Sequence, residues 1–233
     1  MPKKRVAIVQ SNYIPWKGYF DMIASVDEFI IYDDMQYTRR DWRNRNRIKT
    51  PAGTKWLTIP VECKGRYLQK IKDTVISEPN WNRKHWQTIA HNYSRAPYFD
   101  RYRDFFQELY LTCQERFLSK INYLFLKAVC RLLGIDTMFS WSMDYRIGND
   151  RTESLVSLCR QAEATEYISG PAAKTYIEEE RFVKADITLT YMNYSGYPEY
   201  AQLYPPFEHT VSIIDLIFNT GPDATRYMKI GKR

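Results

Sequence analysis

A polar loop follows the first apolar run of the chain and holds several side chains that can bind a ligand. The run at 6–9 predicts a buried strand, and the apolar periodicity at 21–25 predicts a helix after it. Backbone amides and the positive end of a helix dipole favour a phosphate at such a turn. The binding candidates in the loop are Gln10, Asn12, Tyr13, Trp16, Lys17, Gly18 and Tyr19. An ordinary strand-to-helix connection without a ligand is the alternative interpretation.

The most basic segment of the chain, residues 33–49, begins with two carboxylates. Asp33 and Asp34 end a second apolar run, and six Arg or Lys side chains follow, interleaved with aromatic residues. Guanidinium groups bind phosphate through paired hydrogen bonds, and aromatic side chains stack on the rings of ligands. The substrate-binding candidates here are Gln36, Tyr37, Arg40, Trp42, Asn44, Arg45, Asn46 and Lys49. A solvated basic surface is the alternative interpretation.

An extended backbone would divide this basic segment between two faces. Arg43, Arg45 and Arg47 would share one face, whereas Asn44 and Asn46 would share the other. The two sets are therefore not expected to reach one ligand. Either Asp33 or Asp34 is a candidate catalytic residue that orients or deprotonates an amine nucleophile. The same pair of carboxylates is a candidate site for Mg²⁺.

The histidines are the remaining candidates for proton transfer. His85 and His91 lie on one predicted helix but six residues apart, so their side chains point about 120° away from each other. His85 and His209 are alternative general bases, with a structural role as the other interpretation of each. The four cysteines are far apart and never form a CxxC pair, which predicts reduced thiols and no zinc site: Cys63, Cys113, Cys130 and Cys159.

Strand and helix patterns alternate along the chain. Strands are predicted at 6–10, 28–32, 136–142, 167–169 and 187–193, with a basic hairpin at 45–62. Helices are predicted at 79–93, 101–111, 115–133, 151–163, after Gly170-Pro171, and at 212–218 and 222–229. This order predicts one α/β domain, 1–233, built as a three-layer Rossmann-like parallel sheet. The helical insert at 78–134 is expected to form one wall of a cleft.

The charge of the chain limits the kinds of partner. Its 233 residues are 44% hydrophobic, enough for a sizeable core, and carry a formal net charge of +7. An anionic partner is therefore expected: a phosphate-bearing small molecule, a nucleic acid or a membrane surface. Neither a signal peptide nor a membrane-spanning run is predicted, so we expect a cytoplasmic location without membrane insertion.

Several separate stretches of the sequence resemble the WbqC-like family. They are residues 10–20, 33–37, 40–48, 56–61 and 212–219, and the resemblance covers essentially the whole chain. The family is named from bacterial O-antigen gene clusters, and some relatives are proposed to attach amino acids to activated acceptors. The resemblance implies a transferase of cell-surface polysaccharide (O-antigen, lipopolysaccharide) biosynthesis.

A more remote resemblance concerns the first loop. Residues 15–19 after the buried strand are similar to the HxGH loop of the cytidylyltransferase-like nucleotidyltransferases, and residues 167–174 are similar to their later phosphate loop. This resemblance implies a HUP/nucleotidyltransferase-like form of the Rossmann fold and adds Ser169 and Gly170 to the substrate-binding candidates. Trp16 and Tyr19 occupy the two histidine positions but cannot carry positive charge. The fold is therefore expected without nucleotidyl transfer.

Together these observations predict a cytoplasmic transferase that binds a nucleotide- or phosphate-activated substrate, such as a nucleotide sugar. The expected reaction is acyl or aminoacyl transfer to an amino sugar, or displacement of an activated phosphate by an amine. No resident cofactor is assigned, Mg²⁺ is a candidate companion of the donor, and the oligomeric state is left open. The alternatives are a nucleic-acid-binding or nucleic-acid-modifying protein and a non-catalytic sugar-nucleotide-binding module.

Overall fold

Strands and helices alternate along the chain in the computed structural model, which describes residues 3–148 and 150–230. Both ends of the predicted domain, 1–233, thus lie outside the described residues. The strands are β1 (Arg5–Val9), β2 (Glu28–Ile31), β3 (Arg45–Thr50), β4 (Gly53–Thr58), β5 (Met138–Trp141), β6 (Glu166–Ser169) and β7 (Thr188–Tyr191). The α-helices are α1 (Lys17–Ala24), α2 (Trp81–Tyr93), α3 (Phe99–Leu111), α4 (Leu118–Leu133), α5 (Arg151–Gln161), α6 (Glu179–Lys184) and α7 (Ile213–Thr220).

A parallel sheet with the strand order β5-β2-β1-β6-β7 forms the centre of the molecule. The chain runs outward from β1 through β2 to β5, and then returns to place β6 on the other side of β1. The order of the strands therefore reverses at β1 and β6. This arrangement confirms the predicted three-layer Rossmann-like sheet.

Apolar side chains alternate across the sheet and divide the helices into two layers. Ala7 and Phe29 pack in the same apolar cluster as residues of α1, α4 and α7. Ile8 and Ile30 pack with residues of α5 and α6 on the opposite face. Because successive strand residues point to opposite faces, a sheet covered on both sides requires continuous apolar strands, as the sequence shows.

The hairpin and the helices of 78–134 extend the first of these layers. β3 and β4 pair antiparallel with Arg45 opposite Thr58, as predicted. α2 packs against α3, and both also contact other elements of the fold: α2 contacts β3, and α3 contacts α7. Trp81 and Phe106 are buried in the same cluster as α1. The helices of 78–134 therefore share an apolar layer with the central sheet.

Several element boundaries differ from the prediction. The segments expected to be helical after Gly170 and at 222–229 form short 3₁₀ helices, Pro171–Thr175 and Gly221–Tyr227. Each has a proline at its start, which supplies no amide donor. The helix expected from 115 begins at Leu118, because Phe117 first pairs with Val75 in an antiparallel bridge. Among the described residues, none of the helices combines the length and the apolar character needed to cross a bilayer.

Candidate functional site

A cavity of about 410 Å³ lies at the carboxyl ends of β1 and β6. This is the point where the strand order reverses, the usual place for ligands in open α/β sheets. Its volume is in the range of small-molecule sites. The wall is formed by Ile8, Val9, Gln10, Trp16, Tyr19, Met22, Tyr32, Met35, Arg151, Leu155, Tyr167, Ser169, Gly170, Ala172, Ala173, Tyr176 and Tyr194. We call this space the larger cavity.

Aromatic rings and the guanidinium group of Arg151 give the larger cavity its chemical character. The Tyr19 hydroxyl donates to the Gln10 carbonyl at 2.8 Å, and the Ser169 hydroxyl donates to the Tyr167 hydroxyl oxygen at 3.3 Å. The Arg151 guanidinium lies 4.8 Å from the centre of the Tyr176 ring. Between residues 3–148 and 150–230, no carboxylate pairs with Arg151. A ring-bearing anion would find both stacking surfaces and an uncompensated positive charge here.

Arg43 holds the two polar side chains that follow β1. Its guanidinium donates to Gln10 Oε1 at 2.7 Å and to the Gln10 carbonyl at 3.4 Å, and it also donates to Asn12 Oδ1. Asp41 lies 3.7 Å away and balances the charge. A planar guanidinium presents several donors in a rigid fork that suits two amide oxygens at once, whereas a lysine ammonium is a compact charge on a flexible stem. Arg43 is therefore a positioning residue for Gln10 and Asn12.

A second, smaller depression of about 170 Å³ also has Trp16 in its wall. Its wall is formed by Asn12, Pro15, Trp16, Trp42, Asn46 and Thr210. Trp16 thus belongs to both spaces, while Gln10 faces the larger cavity and Asn12 the smaller one. Gly18 permits this arrangement, because a Cβ at that position would lie 2.4 Å from the Trp16 ring. We call this second space the smaller depression.

An exposed cluster of tryptophan and arginine side chains borders the smaller depression. The Trp42 and Trp56 rings lie 5.2 Å apart, and the Arg45 guanidinium is 4.1 Å from the centre of Trp56. Arg45 also donates to the Arg40 carbonyl, and Arg47 to the Thr210 hydroxyl. The cations are therefore stacked on the indoles and not directed at either space.

Asp33 is fully buried beside the first loop and braces it. Its carboxylate accepts from the Ser11 amide at 2.8 Å, from the Ser11 hydroxyl at 2.7 Å and from the Ser119 hydroxyl. Asn122 of α4 donates to the Ser11 hydroxyl and to the Arg43 carbonyl, each at 2.9 Å. Burial raises the pKa of Asp33, although these donors oppose the shift. All of its bonding thus joins the end of β2 to the loop and to α4.

Asp34 belongs to a separate group of side chains. It accepts from the Ser142 hydroxyl at 2.9 Å and pairs with Lys72 at 2.7 Å and Lys70 at 3.3 Å. Partial burial acts to raise the pKa of Asp34, but the bonds from Lys72, Ser142 and Lys70 outweigh it and the net shift is downward. Neither acidic residue is among the wall residues of the larger cavity or the smaller depression.

His85 lies in the core, between the first loop and the hairpin. Its Nε2 is 3.1 Å from the Thr58 carbonyl, which can only accept, so Nε2 carries the proton. Its Nδ1 then accepts from the Tyr13 hydroxyl at 2.9 Å, and Tyr110 donates to Tyr13 at 2.7 Å. Burial lowers the pKa of His85 to about 4. His85 is therefore a neutral structural bridge at physiological pH.

The buried His85 makes the folding stability fall in mild acid. In the unfolded chain it protonates near its ordinary pKa of 6.5, whereas in the fold it stays neutral until about pH 4. Stability is complete above pH 6.5 and is lost as the pH falls toward 4, by about 3 kcal/mol. We expect His85→Gln to flatten this dependence in urea titrations over that window. Equal slopes for both proteins would contradict the assignment.

The chain belongs to a known family, as comparison with other proteins shows. The model of the WbqC-like protein family matches residues 10–227. This chain is a member of the WbqC-like family. An uncharacterized protein of Mycobacterium tuberculosis (strain ATCC 25618 / H37Rv), Rv1507c, is 52% identical over 226 residues, which cover 97% of this chain and 98% of the relative. No solved structure matches the chain.

The WbqC-like loop and basic segment contribute to the two spaces unequally. The sequence-predicted residues in the wall of the larger cavity are Gln10, Trp16, Tyr19, Ser169 and Gly170. Those around the smaller depression are Asn12, Trp16, Trp42 and Asn46. Asn12 and Arg45 thus lie on the same side of the molecule, since Trp42 joins the smaller depression to the Trp42–Trp56 pair. None of the wall residues of the larger cavity comes from the described helices of 78–134.

Other residues proposed from the sequence serve the interior of this WbqC-like fold. Tyr13 is buried under the loop, and the Lys17 ammonium donates to the Pro198 carbonyl at 3.2 Å. Backbone carbonyls also accept from Asn44, Asn46 and Lys49 side chains. His209 packs on Phe207 with 4.6 Å between ring centres, and burial lowers its pKa.

Gln36 and Tyr37 support a neighbouring loop and lie outside both spaces. The Gln36 side chain donates to the Tyr67 carbonyl at 2.7 Å, and the buried Tyr37 donates its amide to the Gln69 carbonyl at 2.9 Å. Arg40 is exposed, with a left-handed φ of 58°. These positions explain why a basic, aromatic segment of sequence does not form one continuous binding surface.

The described part of the chain contains no set of side chains arranged to bind a metal ion. No group of three or more His, Cys, Asp or Glu side chains there is arranged to hold an ion. The four cysteines are free, and only Cys63 is partly exposed. Asp33 and Asp34 also bond to different partners, so they do not converge on a common point as a Mg²⁺ pair would.

Proposed function

We propose that this chain is a group transferase of bacterial cell-surface polysaccharide biosynthesis, whose larger cavity binds a nucleotide- or phosphate-activated substrate. The observation that carries the proposal is the larger cavity at the reversal of strand order, with Arg151 in its wall, a cation that has no carboxylate partner among residues 3–148 and 150–230. In this proposal the base or sugar ring stacks on the tyrosine and Trp16 rings, and Arg151 neutralises a phosphate. The expected reaction is acyl or aminoacyl transfer to an amino sugar, or displacement of the activated phosphate by an amine.

The two spaces beside Trp16 give the proposed reaction a place for two substrates. The activated donor occupies the larger cavity and the amine-bearing acceptor the smaller depression, with their reacting groups meeting near Gln10 and Asn12. Arg43 keeps both amides in place, so the site acts through positioning and fixed dipoles. This arrangement matches a transferase better than a single-ligand binding module.

The wall residues also limit where the proton that the acceptor amine loses can go. Of the described residues, no Asp, Glu or His lies in the wall of either space. The acceptor amine would therefore attack as the neutral form. Its nitrogen would bond to the reacting carbon as the bond from that carbon to the phosphate oxygen breaks, and the departing phosphate, stabilised by the arginine charge, would take up the proton that the nitrogen loses. The expected catalytic roles of Asp33, Asp34, His85 and His209 have no geometric support, because each is bonded or packed elsewhere.

The proposal predicts that nucleotide sugars stabilise the protein. Ligand at about ten times its Kd should raise the melting temperature of a chain this long by about 3–5 °C. Thermal unfolding with UDP-sugars and dTDP-sugars measures the effect. Arg151→Met should weaken the affinity about tenfold, since a charged hydrogen bond to phosphate is lost. Arg160→Met, in the last turn of the same helix, is the matched control.

Thermal unfolding and the Arg160→Met control can each contradict the proposal. If neither nucleotides, nucleotide sugars nor pyrophosphate raise the melting temperature, the larger cavity does not bind such substrates. If Arg160→Met weakens binding as much as Arg151→Met, the effect is one of overall charge and not of the cavity. The nucleic-acid alternative stays a prediction, to be tested by salt-dependent oligonucleotide binding.

A further inference from the structure

Two adjacent residues with large apolar side chains are highly exposed on the protein surface. Tyr67 is 76% exposed and Leu68 is 83% exposed. They lie at the tip of the segment 63–70, which we call the basic loop because it also holds Lys64, Arg66 and Lys70. Adjacent apolar residues at such exposure are costly in water and are typical of an interaction surface.

Hydrogen bonds hold the basic loop in this conformation. The Tyr67 carbonyl accepts from the Gln36 side chain at 2.7 Å, and the Gln69 side chain donates to the Glu62 carbonyl at 2.7 Å. The Tyr37 amide donates to the Gln69 carbonyl at 2.9 Å. The outward direction of Tyr67 and Leu68 is therefore built into the fold, so little ordering is required when they bind.

Positive charge surrounds the exposed pair. Glu62 pairs with Arg66 at 2.8 Å, and Asp34 pairs with Lys70 at 3.3 Å. In the described residues, Lys64 and the exposed Arg39 and Arg40 of the adjoining segment have no carboxylate partner. Exposed apolar side chains in the same loop and adjoining segment as cations without a carboxylate partner in the described residues match a surface with an apolar interior and an anionic outer layer. An anionic lipid bilayer has that arrangement.

The basic loop also lies at the edge of the sheet where the larger cavity is found. The Ile71 amide donates to the Met35 carbonyl at 2.9 Å, and Met35 is in the wall of the larger cavity. Gln36 pairs with Lys70 in an antiparallel bridge directly after it. A surface bound by the basic loop would therefore lie beside the larger cavity.

We propose that the basic loop docks the protein on an anionic membrane surface. Tyr67 and Leu68 enter the headgroup region, while Lys64, Arg39 and Arg40 lie near the lipid phosphates. The contact is peripheral and needs no membrane-spanning segment. It would bring the larger cavity to a substrate carried on a lipid, but it does not depend on the proposed reaction.

Sedimentation with lipid vesicles tests the docking surface. The full chain should sediment with vesicles of phosphatidylcholine and phosphatidylglycerol at low salt, and much less with phosphatidylcholine alone or at high salt. The double variant Tyr67→Ser/Leu68→Ser should bind the anionic vesicles about fivefold more weakly. Both side chains are exposed, so its melting temperature should be unchanged.

A matched control distinguishes vesicle binding through the basic loop from nonspecific binding by any exposed apolar residue. Val183 in α6 is 76% exposed and lies outside the basic loop, so Val183→Ser should bind vesicles as the unmodified chain does. The proposal is overturned if the chain sediments with neither vesicle, if the double variant binds as tightly as the unmodified chain, or if Val183→Ser is equally weakened. Vesicle binding without any stabilisation by nucleotide sugars would leave this proposal standing and remove the proposed function.

Discussion

Replacing Asp215 by alanine is expected to destabilise the fold by about 4 kcal/mol, the largest effect of any single change considered. Asp215 is completely buried on α7 and accepts from Tyr93 at 2.7 Å, Tyr200 at 2.6 Å and Gln202 at 2.7 Å. Alanine would leave these buried donors without their acceptor. The loss corresponds to a fall in melting temperature of about 10 °C for a chain of this length.

Two further variants make the Asp215 result interpretable. Asp215→Asn keeps the shape and one acceptor, so it should cost clearly less than alanine in urea unfolding. Asp104→Ala is the surface control, since its side chain is 83% exposed and pairs with its neighbour Arg103, and it should change stability by less than about 0.5 kcal/mol. If Asp215→Ala unfolds at the same urea concentration as Asp104→Ala, the buried network contributes nothing.

Removing the Arg43 guanidinium is expected to cost most of the ligand affinity. Arg43→Met frees the side chains of Gln10 and Asn12, which lie in the walls of the larger cavity and the smaller depression. Loss of this clamp should weaken nucleotide-sugar binding about 30-fold, or about 2 kcal/mol. Isothermal titration calorimetry measures the affinity, and circular dichroism should show an unchanged fold.

Other arginines of the same segment provide the controls. Arg43→Lys keeps the charge but lacks the rigid planar fork that holds both amides, so it should resemble Arg43→Met. Arg45→Ala removes a cation that is stacked on Trp56 and is not a wall residue of either space, so it should leave the affinity nearly unchanged. An affinity that follows net charge, with Arg43→Lys normal and Arg45→Ala weakened, would contradict the positioning role.

The central sheet could be predicted from the sequence because both of its faces are covered. Buried parallel strands appear as short continuous apolar runs, and those of β1 and β2 stand out beside polar loops. The boundary of α4 was missed because Phe117 first pairs with Val75, a contact between segments 42 residues apart in the sequence (117 − 75). Local periodicity carries no information on such bridges.

The location of the candidate site in the fold could be predicted from the sequence better than the residues that form it. A polar loop after a buried strand places Gln10 and Trp16 at the sheet edge, and the structure has them in the cavity wall. Arg43 precedes β3, so the strand alternation that grouped it with Arg45 and Arg47 does not apply to it. That Arg151 has no carboxylate partner in the described part of the chain depends on the folded arrangement. No pattern in the sequence distinguishes it from the other cations.

The roles of buried polar residues are the hardest to predict from the sequence. Asn44 donates to the Ile59 carbonyl and Asn46 to the Tyr13 carbonyl, so each satisfies a backbone acceptor far away in the sequence. An asparagine that satisfies a distant backbone atom has the same sequence signature as one that binds a ligand. His85 was ambiguous for the same reason, because its partners Tyr13 and Thr58 come from other elements.

The absence of a side chain at Gly18 leaves room for the Trp16 indole, which belongs to the walls of both the larger cavity and the smaller depression. Because a Cβ at Gly18 would lie 2.4 Å from the Trp16 ring, any substitution there must displace the indole from its present position. If the two spaces hold a donor and an acceptor as proposed, one substitution at position 18 should therefore alter the preference for both substrates together.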